Sequence, residues 1–216
     1  MKMIRTVAVL LCMCGFSLTG CERLHKKSLS AEAEACRAQI AVFRSNISLG
    51  DWKIFRDGRK IVEQAIALTN DQERIMLCRE FTKEFYRIDI SRCTVREAAY
   101  MLDEYCLMPE YLAYGLIRAG GSTEEAWRSL VTGLEKYRQL CFSFGDENDM
   151  SDGRGREASD RRHVARWGRK SWEGCLLFCR DHTIKSVFGP DNKDTIDRLQ
   201  ARLEKKFGKI EERRSK

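Results

Sequence analysis

The chain has 216 residues and a net charge of +7, and 33% of its residues are charged, with acidic and basic side chains interleaved. Its apolar run at residues 7–16 is far shorter than the roughly 18–20 residues that a spanning helix requires, which excludes such a helix there. The length suffices for one domain with a hydrophobic core, and only Pro109 and Pro190 could interrupt helices. Interleaved charge and few prolines predict an all-α fold, an irregular bundle of about six to eight amphipathic helices.

The first 21 residues have the pattern of an export signal. Lys2 and Arg5 precede the short apolar run, and small residues follow it. This order is typical of a secretory signal peptide. The tetrapeptide Leu-Thr-Gly-Cys at residues 18–21 resembles the lipobox of bacterial lipoproteins, which are cleaved before the cysteine. The resemblance covers the leader alone, and the residues after it match no family that we can name.

The lipobox resemblance implies that residues 1–20 are a signal peptide and that Cys21 becomes an acylated N-terminus. Several acyl chains on one residue anchor a protein stably, at about 0.8 kcal/mol per buried methylene. Glu22, where an inner-membrane lipoprotein would carry Asp, resembles the sorting signal of outer-membrane lipoproteins. We therefore expect a bacterial lipid-anchored protein that faces the periplasm or the surface. The alternative is an ordinary secreted protein with an unmodified Cys21.

Helix signals follow in regular order after a polar tether at residues 21–30. The first helix is predicted from Ser28 or Ser30 to about Asn46, and the second carries Trp52 and ends near Leu68. An Asn, Ser or Thr followed three residues later by Glu predicts the start of a helix. That pattern occurs at residues 70–73, 94–97 and 122–125. A Pro-initiated helix between the last two completes a predicted bundle over residues 31–144.

Residues 145–160 are nearly devoid of apolar side chains and rich in Gly, Ser and Asp, which predicts a flexible loop. Residues 161–216 are predicted to form C-terminal helices, the first of which runs from Arg161 to about Val187. Gly189 and Pro190 stop it. The last helix carries a narrow apolar seam. The seam consists of Ile196, Leu199, Leu203, Phe207 and Ile210. It would pack on the bundle or bind another protein.

Seven cysteines remain after the two in the leader and Cys21 are set aside. Outside the cytoplasm such a density favours disulfides. Cys78 and Cys106 lie at comparable distances from the turn near Ser91, so an antiparallel helix pair would bring them level. A bridge there would close a loop of about 28 residues and contribute about 3–4 kcal/mol. In a strict anaerobe all seven could instead be reduced core residues.

Cys175, Cys179 and His182 recur at i, i+4 and i+7, and thiolate and imidazole are ligands that zinc favours. Only three ligands are local, and a fourth such as His163 would have to come from elsewhere. Apolar residues flank the same face, so a core stripe or a pair of redox-active thiols is equally consistent with the pattern. We predict no metal and no cofactor, and keep these three residues as weak metal candidates.

The chain lacks the usual signatures of enzymes. It has no phosphate-binding Gly-rich loop and no H-E-x-x-H, and its three histidines have no setting for a Ser–His–Asp triad. The Glu-Ser and Gly-Leu-Met-Gln pattern of helical lytic transglycosylases is also missing. We therefore predict no catalytic residue and a non-enzymatic scaffold or adaptor. The alternatives are an envelope enzyme acting on peptidoglycan and a metal or thiol protein.

The partners predicted from charge and location are membrane lipid, through acylated Cys21, and another envelope protein. Removal of Lys2 and Arg5 with the leader would lower the net charge from +7 to +5. Such a mild basic excess favours anionic lipid, glycan or acidic partners. Envelope location disfavours nucleic acid. The seam from Ile196 to Ile210 is the candidate partner-binding surface.

Overall fold

The computed structural model describes residues 28–48, 55–90, 93–143, 156–189 and 191–208. All regular elements in these ranges are helical, which confirms the predicted all-α bundle. The helices are α1 (Ala31–Ser48), α2 (Phe55–Ala67), α3 (Asp71–Tyr86), α4 (Val95–Tyr105), α5 (Met108–Arg118), α6 (Thr123–Phe142), α7 (Arg156–Phe178, continued by Cys179–Thr183 and Ile184–Phe188) and α8 (Lys193–Phe207). Every helix belongs to one compact unit that begins at Ala31. The leader, Cys21 and Ile210 lie outside the described ranges.

Helix starts follow the local sequence signals. Asn70 accepts hydrogen bonds from the backbone N–H groups of Gln72 and Glu73. Thr94 and Glu97 form a full capping box, in which each side chain accepts from the other residue's backbone N–H. Ser122 accepts from the N–H of Glu125. Each cap satisfies donors that the first turn of a helix leaves without partners, so all three predicted helix starts are confirmed.

A cluster of aromatic rings fills the centre of the bundle. Phe43 of α1 meets Phe81 and Phe85 of α3 at centroid distances of 5.1 and 6.1 Å. Phe85 lies 5.1 Å from Tyr105 of α4, whose ring is parallel to that of Tyr137 on α6 at 6.2 Å. The Tyr137 hydroxyl donates to the Leu102 carbonyl at 3.0 Å, so its buried polar atom is satisfied. These rings join α1, α3, α4 and α6 into one core.

Helix α7 packs against α4 and α6, and its last turns contact α5 and α8. Gly168 lies where α7 crosses α6: a Cβ at this position would be 2.0 Å from the carbonyl oxygen of Cys141. A residue without a side chain is therefore required for the helices to approach this closely. Gly189, at φ +93°, ends the helix as predicted.

The flexible loop predicted for residues 145–160 is only partly within the described ranges. Residues 144–155 lie outside them, and α7 already begins at Arg156. The prediction that the helix resumes near Arg161 therefore placed its start five residues late. In the part of the chain that the structure describes, no helix is both long and apolar enough to span a membrane.

Candidate functional site

The apolar seam of α8 packs on the protein's own bundle. Ile196, Leu199 and Leu203 are buried, the last two completely. Phe207 is half-buried and meets Trp172 of α7 edge-on at 5.3 Å. The assignment of these four residues as a partner-binding surface is therefore wrong, because the folded chain itself covers them. Ile210, the fifth, lies beyond the described residues.

A single π-helical turn at Cys179–Thr183 separates the candidate metal ligands on α7. The Ile184 N–H donates to the Cys179 carbonyl, five residues back, so this turn holds one residue more than an α-helical turn. Cys179 is buried, whereas His182 is exposed and stacks on Phe178 at 5.1 Å. His163, also exposed, lies near Trp167 instead.

Contacts with two other helices hold the π-helical turn in place. Thr183 donates to the Glu110 carboxylate at 2.9 Å, and Gln200 of α8 donates to the Arg180 carbonyl at 2.7 Å. The i, i+4, i+7 spacing therefore does not place the two thiols and the imidazole at one point. Among all described residues, no three His, Cys, Asp or Glu side chains are grouped to hold a metal ion.

The seven cysteines of the described ranges form no disulfide with one another. The predicted bridge between Cys78 and Cys106 is not formed, because the two residues face different neighbours. The Cys78 thiol lies where α3 meets α5, 3.8 Å from the point that a Gly115 Cβ would occupy. The carbonyl of Cys106 instead accepts from the Cys175 thiol at 3.9 Å, on the side of α7.

Burial keeps the core thiols protonated. It raises the pKa of Cys78, Cys141 and Cys179 from an ordinary value of 9.0 to about 12, and it also raises that of Cys175. The Cys36 thiol next to Cys78 and the Glu110 carboxylate next to Cys179 add to this effect. Because the thiolate is the nucleophile and the metal ligand, these cysteines act as small apolar core residues.

A surface cleft with a volume of about 620 Å³ lies between α6 and α8. Trp127 and Val131, one helical turn apart on α6, are its apolar lining, and Thr132 lies beside them. Its charged lining residues are Arg128, Glu135, Arg202, Lys205 and Lys206. We call this feature the α6–α8 cleft.

Two ion pairs join the walls of the cleft. Arg202 donates to both carboxylate oxygens of Glu124, at 2.8 and 3.1 Å, and its guanidinium lies 4.9 Å from the centre of the Trp127 ring. The hydrogen bond from Arg202 lowers the pKa of Glu124, so this carboxylate remains charged at neutral pH. Lys206 lies 2.7 Å from Glu135. The rim thus combines four cations with an apolar floor.

The sequence analysis did not single out this cleft. Its residues lie on two helices about 70 positions apart, and only the packing of α8 on α6 brings them together. The available local signal was the pair of basic residues next to the apolar seam of α8. Comparison of the chain with protein-family models, curated proteins and solved structures gives no match.

Proposed function

We propose that this protein is a lipid-anchored bacterial envelope lipoprotein that acts as a non-enzymatic adaptor. Its partner is another envelope protein, which inserts an acidic segment with an apolar side chain into the α6–α8 cleft. The observation that carries this proposal is the arrangement of the cleft, with Trp127 and Val131 at its floor and Arg128, Arg202 and Lys205 at its rim.

The chemistry of the cleft fits a protein segment. Interface residues that dominate binding energy are enriched in Trp and Arg, and a rim of one charge sign selects and steers a partner of the opposite sign. The Arg202 side chain that covers Trp127 is 40% exposed, and its partner Glu124 is 55% exposed. An acidic side chain from a partner can therefore replace Glu124 next to Arg202 without opening the core.

The lipid anchor suits an adaptor. Residues 22–30 separate Cys21 from the start of α1, and at full extension they reach at most about 30 Å. The helical unit would thus remain close to the membrane surface while its orientation is adjustable. A partner in the same envelope layer then meets the cleft at a high effective concentration.

Photo-crosslinking in intact cells tests the adaptor proposal. A photo-reactive amino acid replaces Thr132 in the cleft, and a control chain carries it at Gln139, which is exposed on α6 outside the cleft. We expect a discrete crosslinked protein from position 132, with mass spectrometry locating the link in an acidic segment. The double variant Arg128→Glu, Lys205→Glu should reduce that product by more than about tenfold, because like charges would face each other.

Two results would contradict the proposal. One is an equal yield from positions 132 and 139, which would mean that the cleft is not a preferred contact. The other is a crosslink that survives the charge reversal at Arg128 and Lys205. Both side chains are exposed, so the reversal leaves the core intact and its effect reports on the cleft.

A further inference from the structure

The first half of α7 carries an unusual concentration of positive charge. Residues 161–170 read RRHVARWGRK, with five Arg or Lys and no carboxylate. Val164 and Gly168 face the bundle, whereas Arg166, Trp167 and Lys170 are exposed. The next carboxylate along the helix is that of Glu173. The helix therefore presents a basic strip to solvent on the side opposite its core contacts.

Aromatic side chains share this exposed side of α7. Trp167 is 45% exposed and Phe178 is 46% exposed, which is high for residues of this size. The Lys170 ammonium lies 5.1 Å from the centre of the Trp167 ring, and the His182 ring stacks on Phe178. Gly174, between the two aromatic residues, is exposed and has no neighbour within 4 Å of a Cβ built there. The strip thus has a flat centre between two apolar projections.

We propose that this exposed strip of α7 lies on the surface of an anionic phospholipid membrane, with Arg166 and Lys170 near headgroup phosphates and Trp167 at the interface. The inference rests on the membrane location in the proposed function and goes beyond it, because it assigns a second, non-covalent contact with lipid. We call this surface the α7 lipid face.

Three physical arguments favour lipid as the occupant. A basic residue near an anionic membrane surface strengthens binding by about fivefold, so a run of several is a strong attraction. Tryptophan prefers the interface between headgroups and acyl chains, where its ring is in an apolar layer and its N–H remains hydrated. Stable membrane attachment commonly combines an acyl anchor with a basic patch, and the anchor supplies the high local lipid concentration that a weak surface contact needs.

Fluorescence of Trp167 tests the lipid face in the full mature protein, purified from membranes and reconstituted into vesicles. The difference between the wild-type spectrum and that of Trp167→Phe isolates this residue from the other tryptophans. We expect a blue shift and loss of iodide quenching in vesicles that contain phosphatidylglycerol, and neither change in pure phosphatidylcholine. High salt should reverse both effects, because it screens the attraction between exposed charges.

A matched pair of triple variants separates the local surface from net charge. The test variant carries Arg166→Gln, Arg169→Gln and Lys170→Gln, and its Trp167 should lose the blue shift. The control variant neutralises three exposed cations on α2, α3 and α4, and should retain the shift. The control substitutions are Lys60→Gln, Lys83→Gln and Arg96→Gln.

The proposal is overturned if Trp167 remains accessible to iodide on anionic vesicles, or if the two triple variants lose the shift equally. A blue shift that is the same on zwitterionic vesicles would also overturn it, since the attraction would not be electrostatic. This readout works whether or not Cys21 is acylated and does not involve the cleft. Failure here therefore leaves the adaptor proposal standing, and failure of the crosslinking test leaves the lipid face standing.

Discussion

Two aromatic residues of helix α6 have opposite environments, although only ten positions separate them. The ring of Tyr137 is stacked on Tyr105, and its hydroxyl is bonded to a backbone carbonyl within the core. Trp127 is covered instead by the guanidinium of Arg202, which is itself partly exposed and held by an exposed carboxylate. The core ring is thus covered by other core groups, and the cleft ring by a side chain that solvent can reach.

This difference separates stability from binding. Removing a packed core group leaves a cavity that the bundle cannot close, and the loss of stability is large. Moving an exposed Arg away from Trp127 breaks one surface ion pair and one cation–π contact, both weak in water. We therefore expect substitutions near the core to unfold the protein, and those at the cleft to alter binding with little change in stability.

The largest expected effect is alkaline unfolding that starts in the core. Burial raises the pKa of Cys78, Cys141 and Cys179 from 9.0 to about 12, so these thiols ionise more readily in the unfolded chain than in the folded one. Their contribution to stability is complete below pH 9 and is lost as the pH rises from about 9 to about 12. Urea unfolding measured across this range should show a steep fall in the free energy of unfolding.

The variant Cys141→Ala checks the origin of this slope. Removing one such thiol should make the slope shallower by about 1.4 kcal/mol per pH unit within the window, because one proton fewer is released on unfolding. An unchanged slope would mean that other groups cause the alkaline loss.

The next effect concerns the inner face of α8. Leu203 is completely buried, so Leu203→Ala should lower the free energy of unfolding by about 3 kcal/mol. Lys205→Ala, two residues along the same helix and exposed, should change it by less than about 0.5 kcal/mol. Urea denaturation followed by circular dichroism measures both. Equal effects would show that α8 does not pack on the bundle as described.

Two glycines of α7 provide a sharper comparison on a single helix. Gly168→Ala should destabilise by about 2 kcal/mol, because the new methyl group would push α7 away from the Cys141 carbonyl. Gly174→Ala has open space around it and should stabilise by about 1 kcal/mol through higher helix propensity. The two melting temperatures should shift in opposite directions. A shift of the same sign would contradict the close α6–α7 crossing.

The smallest effect on stability is expected at the cleft itself. Arg202→Ala should leave the midpoint of urea unfolding nearly unchanged, since its ion pair is exposed. It should at the same time increase iodide quenching of Trp127, which its guanidinium covers. A large loss of stability would remove the distinction between core and cleft.

Local signals predicted local structure well. The caps at Asn70, Thr94 and Ser122 were readable because each involves only the next three residues. The spacing of Ile196, Leu199 and Leu203 showed correctly that one face of α8 is apolar. Periodicity could not show what covers that face, because the same pattern suits packing on the bundle and packing on a partner.

Features that depend on tertiary contacts were not predictable in the same way. The π-helical turn adds a residue to α7 where Thr183 meets Glu110 and Gln200 meets Arg180. No rule of sequence spacing contains those contacts, so the alignment expected for Cys175, Cys179 and His182 failed. The α6–α8 cleft depends in the same way on α8 packing against α6.

The central claim is a folded helical unit held at a bacterial membrane through Cys21, and the intact mass of the native protein tests it most directly. The protein is extracted from its own membranes, then denatured and alkylated without reduction. The account predicts a chain that starts at Cys21, carries its acyl groups and takes up one alkyl group on each of the other seven cysteines. A chain with an unmodified Cys21 would contradict the anchor, and alkylation of fewer than seven thiols would contradict the reduced core.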